Sequence, residues 1–463
     1  MEHSSTTARA TDSGSERSGS PIPTTMKTCT TIALAVALAA PSFAGETLAI
    51  RVGRAETVSH GVVEHAVILV EDGKIAIVGE DLPVEHGIPV LDRPEWTVVP
   101  GFVNCYSRLG CDSEGGDDNS PDVKAIDELW PKSPAYKEVV EHGVTTLALY
   151  PAGNGISGQS VTIRPLGATA EEMVLKDGQY VKMVVRSDSP SKRRITDAFK
   201  KVAEYDEKVV KAREKFDKDK KGGSKKDEKA DDKKSDEKKA FDPAAQEAKS
   251  DDKKDEKKDD GFVPPQPDEK LRPWLEMRVG AKRGLVAMSQ ASDWLHFQDA
   301  LGKNELAYDL RLVLQRESDL YYVFDKKTNE LDVDGIGDKK LRCVVEPTLT
   351  VAAGTLRTRN LPHELHRSGA KVVFIPRNDS LGDHQQWRSN VGEVVSAGLP
   401  ADVALRAMTL EAAEVAGVAD LVGSIEKGKH ANLVFLTGAP FEASTKIAAV
   451  MLDGEFVHGE VNQ

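Results

Sequence analysis

Short β-prone runs open and close this chain. Residues 47–52 and 65–70 are apolar and β-branched, Glu71-Asp72-Gly73 follows, and 74–79 is a second such run. An acidic-glycine turn between two β runs predicts a hairpin. Trp96 to Val99 makes another run before Pro100-Gly101. The far end repeats the pattern: runs at 431–436 and 447–452, the turn Asp453-Gly454, and a run at 455–458. Two sets of short strands at opposite chain ends predict one small β-sandwich built from 45–99 and 430–463. Residues 100–429 then form an inserted domain.

Inside that insertion the period changes. Apolar runs at 144–150, 284–288, 309–314, 341–346 and 371–376 read as buried strands. Helical stretches lie between them, including 292–301 and one beginning at Ser318. Strands alternating with helices predict a parallel α/β sheet. The pattern alone fits either a closed barrel or a doubly wound open sheet.

One tract departs from this rhythm. Residues 203–262 are dominated by Lys, Asp and Glu of nearly balanced sign. Such a segment has little apolar surface to offset its ordering entropy. It is expected to be a solvated, mobile insertion with a helical start near 197–215. A docking arm for a charged partner is the alternative.

Composition adds limits. With 463 residues the chain can hold a large domain and an accessory one. The net charge of −13 argues against nucleic acid and against anionic membrane surfaces as partners. The four cysteines, Cys29, Cys105, Cys111 and Cys343, show no CxxC or zinc-finger spacing. Cys105 and Cys111 are close enough in sequence to pair in an oxidising compartment. Met26-Lys27, the apolar run 32–40 and Pro41-Ser42-Phe43-Ala44 form the three parts of an export signal. The apolar run is too short to span a membrane. The mature chain is therefore expected to be periplasmic or extracellular, without a membrane span once residues 1–44 are removed. The sequence leaves the oligomeric state open, with a homo-oligomer as one option.

Several motifs together resemble the amidohydrolase superfamily. Val98-Val99-Pro100-Gly101-Phe102-Val103-Asn104 is similar to the segment that leads into its barrel. Gly143-Val144-Thr145-Thr146, the Gly158-Gln159 stretch, Ser396-Ala397-Gly398-Leu399-Pro400 and Ala404 to Thr409 also fit. Gly423-Ser424-Ile425-Glu426-Lys427-Gly428-Lys429-His430-Ala431-Asn432-Leu433-Val434 resembles its return to the β domain. The imidazolonepropionase-like and adenine-deaminase-like branches are the nearest in pattern. The resemblance implies a (β/α)8 TIM-like barrel beside the β-sandwich, and by descent the hydrolysis of non-peptide C–N bonds. It also implies a metal that lowers the pKa of water.

The implied ligand positions carry the wrong chemistry. Tyr106 and Arg108 stand where two metal-binding histidines are expected, and Ala287 where a third belongs. Arginine stays protonated and cannot ligate a cation; tyrosine can do so only as phenolate. Gln315 and Glu346 end the next two strands and, with Tyr106 and Arg108, are the ligand-binding candidates. Asp379, with Asp383 as an alternative, matches the family's final acid. His384 is the histidine nearest to it in sequence. Asp379 and His384 are thus the catalytic candidates, and no residue is assigned to metal. Cys105 is a nucleophile candidate without a base. His363 and His366 share a helix face but lack the HExxH spacing.

Three functional readings follow. The first is a homologue that has lost its metal centre and binds a small molecule or protein partner at the barrel mouth, with no cofactor. The second is an active amide hydrolase with a reduced site, using zinc if any metal. The third is a structural envelope protein that associates through the charged insertion.

Overall fold

The structure is a computed structural model that describes residues 47–113, 119–227, 262–313, 334–351, 356 and 358–459. The expected export signal, Cys29, Gln315, the helix expected from Ser318 and most of the charged tract lie outside the described residues.

The accessory domain is a single seven-stranded sheet. Its N-terminal strands are β1 (Leu48–Glu56), β2 (Val62–Glu71), β3 (Lys74–Glu80) and β4 (Val90–Pro100). Its C-terminal strands, numbered with those of the barrel below, are β15 (Leu433–Leu436), β16 (Ile447–Leu452) and β17 (Glu455–His458). The order is β17-β16-β15-β4-β1-β2-β3, so β4 joins the two chain ends. Where two facing sheets were expected there is one curled sheet, whose inward residues (Ile50, Ile68, Val98, Phe435 and Met451 among them) share one core. The curl brings the two predicted hairpin turns together. A Cβ on Gly73 would lie 2.6 Å from the Asp453 carbonyl oxygen, and Gly73 has a φ of 73°. Only glycine suits that turn and that approach.

The inserted domain is an eight-stranded sheet in the order β14-β11-β10-β9-β8-β7-β6-β5. Its strands are β5 (Phe102–Ser107), β6 (Val144–Leu149), β7 (Ile156–Ile163), β8 (Val174–Val184), β9 (Arg283–Met288), β10 (Tyr308–Leu312), β11 (Arg342–Val345) and β14 (Lys371–Phe374). A two-stranded ribbon, β12 (Thr350–Val351) and β13 (Thr358–Arg359), lies between β11 and β14 in sequence. The barrel is nearly closed. Helices Ala401–Met408 and Leu410–Ala416 both pack against β5 and β14, the two ends of the sheet.

The strict strand-helix alternation expected here holds except at one place. β7 runs antiparallel to both β6 and β8. Its residues are buried along its whole length, and its side chains are mostly small, including Ser157, Gly158 and Ser160.

Alternate residues along these strands serve two cores. Leu147, Val181, Met183, Val286, Leu310 and Phe374 face the surrounding helices. Val103, Cys105, Ala148, Tyr180, Leu285, Val344 and Val373 instead share a core with Ala412, Ala413 and Ala416 of helix Leu410–Ala416. That helix therefore plugs the barrel at the strands' N-terminal end. Glu411 and Glu414 fix it there through Arg342, Lys371 and Arg406, and the Thr162 hydroxyl donates to the Ala416 carbonyl at 2.7 Å.

The helical start of the charged tract is longer than expected. One helix runs over Ser189–Asp227, about 60 Å at 1.5 Å per residue. Ile195, Phe199 and Val202 anchor its first turns in the core. Farther out, Phe216 meets Phe262 edge-on at 5.6 Å, so the returning chain runs back along the helix. Lys and Glu are good helix formers, which carries the helix past the last buried residue.

Candidate functional site

With its base plugged, the barrel offers its interior at the C-terminal strand ends, where barrel enzymes place their chemistry. The inward positions there are Tyr106 near the end of β5, Tyr150 after β6, Lys182 on β8, Ala287 on β9, Arg311 on β10 and Glu346 after β11. Tyr150, Lys182, Ala287 and Glu346 share the parity of Ala148, Tyr180, Leu285 and Val344, which face the inner core; Arg311 alternates with the outward Leu310 and Leu312; and Tyr106, at a register shift in β5, packs against the inner core.

Aromatic and cationic groups dominate this ring. Tyr106 and Tyr150 stack with centroids 4.0 Å apart and planes 24° from parallel. The Arg311 guanidinium lies 5.4 Å from the Tyr106 ring centre, and Lys182 Nζ lies 4.5 Å from that of Tyr150. Both separations favour cation–π attraction. Arg311 is paired with Glu346 and donates to the Leu312 carbonyl at 2.6 Å. Lys182 donates to the Gly153 carbonyl at 2.9 Å. Burial drives the Lys182 ammonium down from 10.5 to about 8, with Arg108 acting in the same direction. Burial also raises the Tyr106 phenol, although Arg311 opposes the rise.

A second cluster stands beside the first. The Ser107 hydroxyl donates to both oxygens of Asp379, at 2.8 and 3.1 Å, and the Arg108 amide donates to Oδ2. Burial raises the Asp379 carboxyl in spite of these donors. His384 Nε2 is 3.8 Å from Asp379 Oδ1, too far for a hydrogen bond.

The tautomer of His384 follows from its neighbours. Asn104 Oδ1 accepts from the Tyr106 amide at 3.1 Å, so the Asn104 amino group faces His384 Nε2 at 3.0 Å. The other ring nitrogen, Nδ1, donates to the Ser380 carbonyl at 2.7 Å. A neutral ring with its proton on Nδ1 satisfies every partner, and Nε2 is then occupied as an acceptor.

The sequence candidates thus divide. Tyr106 and Glu346 meet through Arg311, and Asp379 and His384 stand together. Arg108 does not enter the interior. Its guanidinium donates to the Tyr150 carbonyl at 2.8 Å, to Ser113 and to Glu128 at the rim. The interior guanidinium belongs to Arg311. Asp383 lies in the first turn of helix Leu381–Ser396, where its backbone amide donates to Ser380 Oγ and its carboxylate accepts from that hydroxyl. Cys105, Cys111 and Cys343 are all free thiols, which removes the Cys105–Cys111 bridge. Burial pushes the Cys105 thiol to about 12, so it is a poor nucleophile at neutral pH. Among the described residues, no group of three or more His, Cys, Asp or Glu gathers as a metal site would require.

Arg311 and Lys182 were not singled out in the sequence, though signals for both were present. β10 ends at Leu312 rather than 314, which makes Arg311 the inward residue of the mouth. Lys182 is the lone charge in the run Tyr180-Val181-Lys182-Met183-Val184.

Comparison with known proteins agrees with this architecture. Residues 357–457 match the Amidohydrolase family. An amidohydrolase from Thermotoga maritima MSB8 shares the fold at a TM-score of 0.66 and 20% identity, covering 89% of this chain and 100% of that one. An uncharacterized protein aligns at 0.50 and 13% identity over 89% and 100% of the two chains. A Xaa-Pro dipeptidase with methionine in its active site aligns at 0.44 and 11% identity, over 89% and 99%. No curated protein matches in sequence. The C-terminal segment thus matches the Amidohydrolase family, and the fold of the chain is shared with a solved amidohydrolase.

Proposed function

We propose that this chain is an amidohydrolase homologue that has lost the metal centre and uses the barrel mouth to bind a small ligand. The observation that carries the reading is the Arg311 guanidinium, buried over Tyr106 among the strand ends where metal ligands are expected. The donor set does not suit a divalent cation. Arg311 cannot release its proton, Ala287 has no donor atom, and burial disfavours the Tyr106 phenolate. Glu346 is committed to Arg311, and Asp379 already accepts from Ser107 and Arg108. A divalent cation placed beside the guanidinium would be repelled by about 8 kcal/mol at 4 Å and an effective dielectric of 20.

The active-hydrolase reading loses support on the same grounds. His384 Nε2 is held by Asn104, and Glu346 is paired with Arg311 rather than gathered with Asp379 and His384. The N-terminal signal supports export, so the ligand is proposed to be met outside the cytoplasm.

Metal analysis of protein purified without chelator tests the reading. No stoichiometric zinc is expected. One tightly held metal per chain, or amide hydrolysis that Asp379→Asn abolishes, would overturn it.

A further inference from the structure

We propose that the ligand of the barrel mouth is a small carboxylate, held between Lys182 Nζ and Arg311 Nε over the Tyr106–Tyr150 stack. This rests on the mouth being a binding site and adds the chemical class of its ligand.

Unused donors carry the argument. Arg108 and Arg311 each have a carboxylate partner, Glu128 and Glu346. Lys182 is 7% exposed and has none among the described residues. Its partners among the described residues are the Gly153 carbonyl and the face of Tyr150, so an ammonium with three protons keeps donors to spare. Arg311 is 5% exposed. Its two terminal nitrogens serve Glu346 and the Leu312 carbonyl, while Nε is buried without an acceptor. Buried donors without partners are uncommon and point to an absent one.

Register leaves room for it. Arg311 pairs with Ala287, and Lys182 with Leu285 two residues back on the same strand β9. Ala287 is the smallest of the six inward side chains, and it stands between the strands that bear the two cations. Adjacent strands lie about 4.8 Å apart, so two long side chains reach across it from either side. The site supplies one ammonium with no ion-pair partner among the described residues and donors from two directions. A carboxylate brings one negative charge and two acceptor oxygens. A phosphate monoester brings a further negative charge, for which the mouth shows no second cation without a carboxylate partner among the described residues. The stacked tyrosines offer an apolar wall to whatever carries the carboxylate.

Benzoate is a suitable probe, with benzamide as its neutral counterpart and phenylphosphonate as the phosphate-like one. On the full chain, benzoate is expected to give a saturable calorimetric signal and to shield Lys182 from acetic anhydride at pH 8, mapped by peptide mass. Benzamide should do neither. Lys182→Met should weaken benzoate at least about tenfold, the loss of a charged hydrogen bond. The shielding measurement on the unsubstituted chain does not depend on any variant folding. Equal shielding by benzamide, unchanged benzoate affinity in Lys182→Met, or phenylphosphonate binding as tightly as benzoate would each overturn the assignment. Metal-dependent amide turnover would instead overturn the functional reading. It is scored by product release, so the two failures are distinguishable.

Discussion

Lys182 should make the stability of this protein depend on pH in a way that one substitution removes. Burial lowers its pKa from 10.5 to about 8 in the folded chain. One pKa unit corresponds to 1.36 kcal/mol, so holding the ammonium in the barrel costs about 3 kcal/mol at neutral pH. Below pH 8 the amine is protonated in both states and the full cost is present. Between about 8 and 10.5 the unfolded chain keeps a proton that the folded chain has released, so folding becomes more favourable as pH rises. Lys182→Met lacks this term. At pH 7 the variant gains the relieved cost and loses the Gly153 hydrogen bond and the Tyr150 contact, together about 2 kcal/mol. A slight net stabilisation is expected there. The sharper quantity is the difference between the parent and variant unfolding free energies. It should move by about 3 kcal/mol in the parent's favour from pH 7 to 10.5, followed by urea unfolding at several pH values. Other lysines and tyrosines titrate in both proteins and cancel in the difference. Parallel pH curves would refute the reasoning and mean that the Lys182 amine stays hydrated.

Arg311→Met strands Glu346 and should cost about 3 kcal/mol or more, whereas Arg311→Met with Glu346→Leu should recover most of it; urea midpoints of the two variants decide. Returning histidine to both resembling positions, Tyr106→His with Arg108→His, is expected not to create a tight zinc site, because Arg311 stays and Ala287 still offers no donor. One zinc per chain by elemental analysis would contradict that. Cys105 and Cys343 are fully buried, and burial raises both thiols, so neither should react with a thiol reagent until the protein unfolds. The partly exposed Cys111, raised to about 11, should react slowly in the native state and faster as pH climbs.

Much of the architecture was legible because its turns have unambiguous chemistry. Asp72-Gly73 and Asp453-Gly454 both need positive φ, and both hairpins lie where those pairs placed them. The buried strands near 144, 284, 341 and 371 were visible as apolar runs between helical stretches. β7 was harder to read. Glycine and small hydroxyl residues interrupt it, and its antiparallel pairing is a tertiary choice that period alone does not encode. The site was legible as an anomaly, through Tyr106, Arg108 and Ala287, but its occupants were not. A strand end misplaced by two residues directed attention to Gln315 instead of Arg311. Arg108 shows the limit of reading by position, since a side chain of that length finds its carboxylate at the rim.

The curled sheet has a consequence for the order in which this protein can be completed. β4 is hydrogen-bonded to β1 on one side and to β15 on the other. During synthesis the first four strands emerge long before their last partners. Until β15 arrives, the apolar Val98 and Val99 lie on an open β edge, the kind that pairs readily with other chains. The barrel must therefore be made while the sheet that flanks it is unfinished, and the final residues close both the sheet and the period of greatest vulnerability to aggregation.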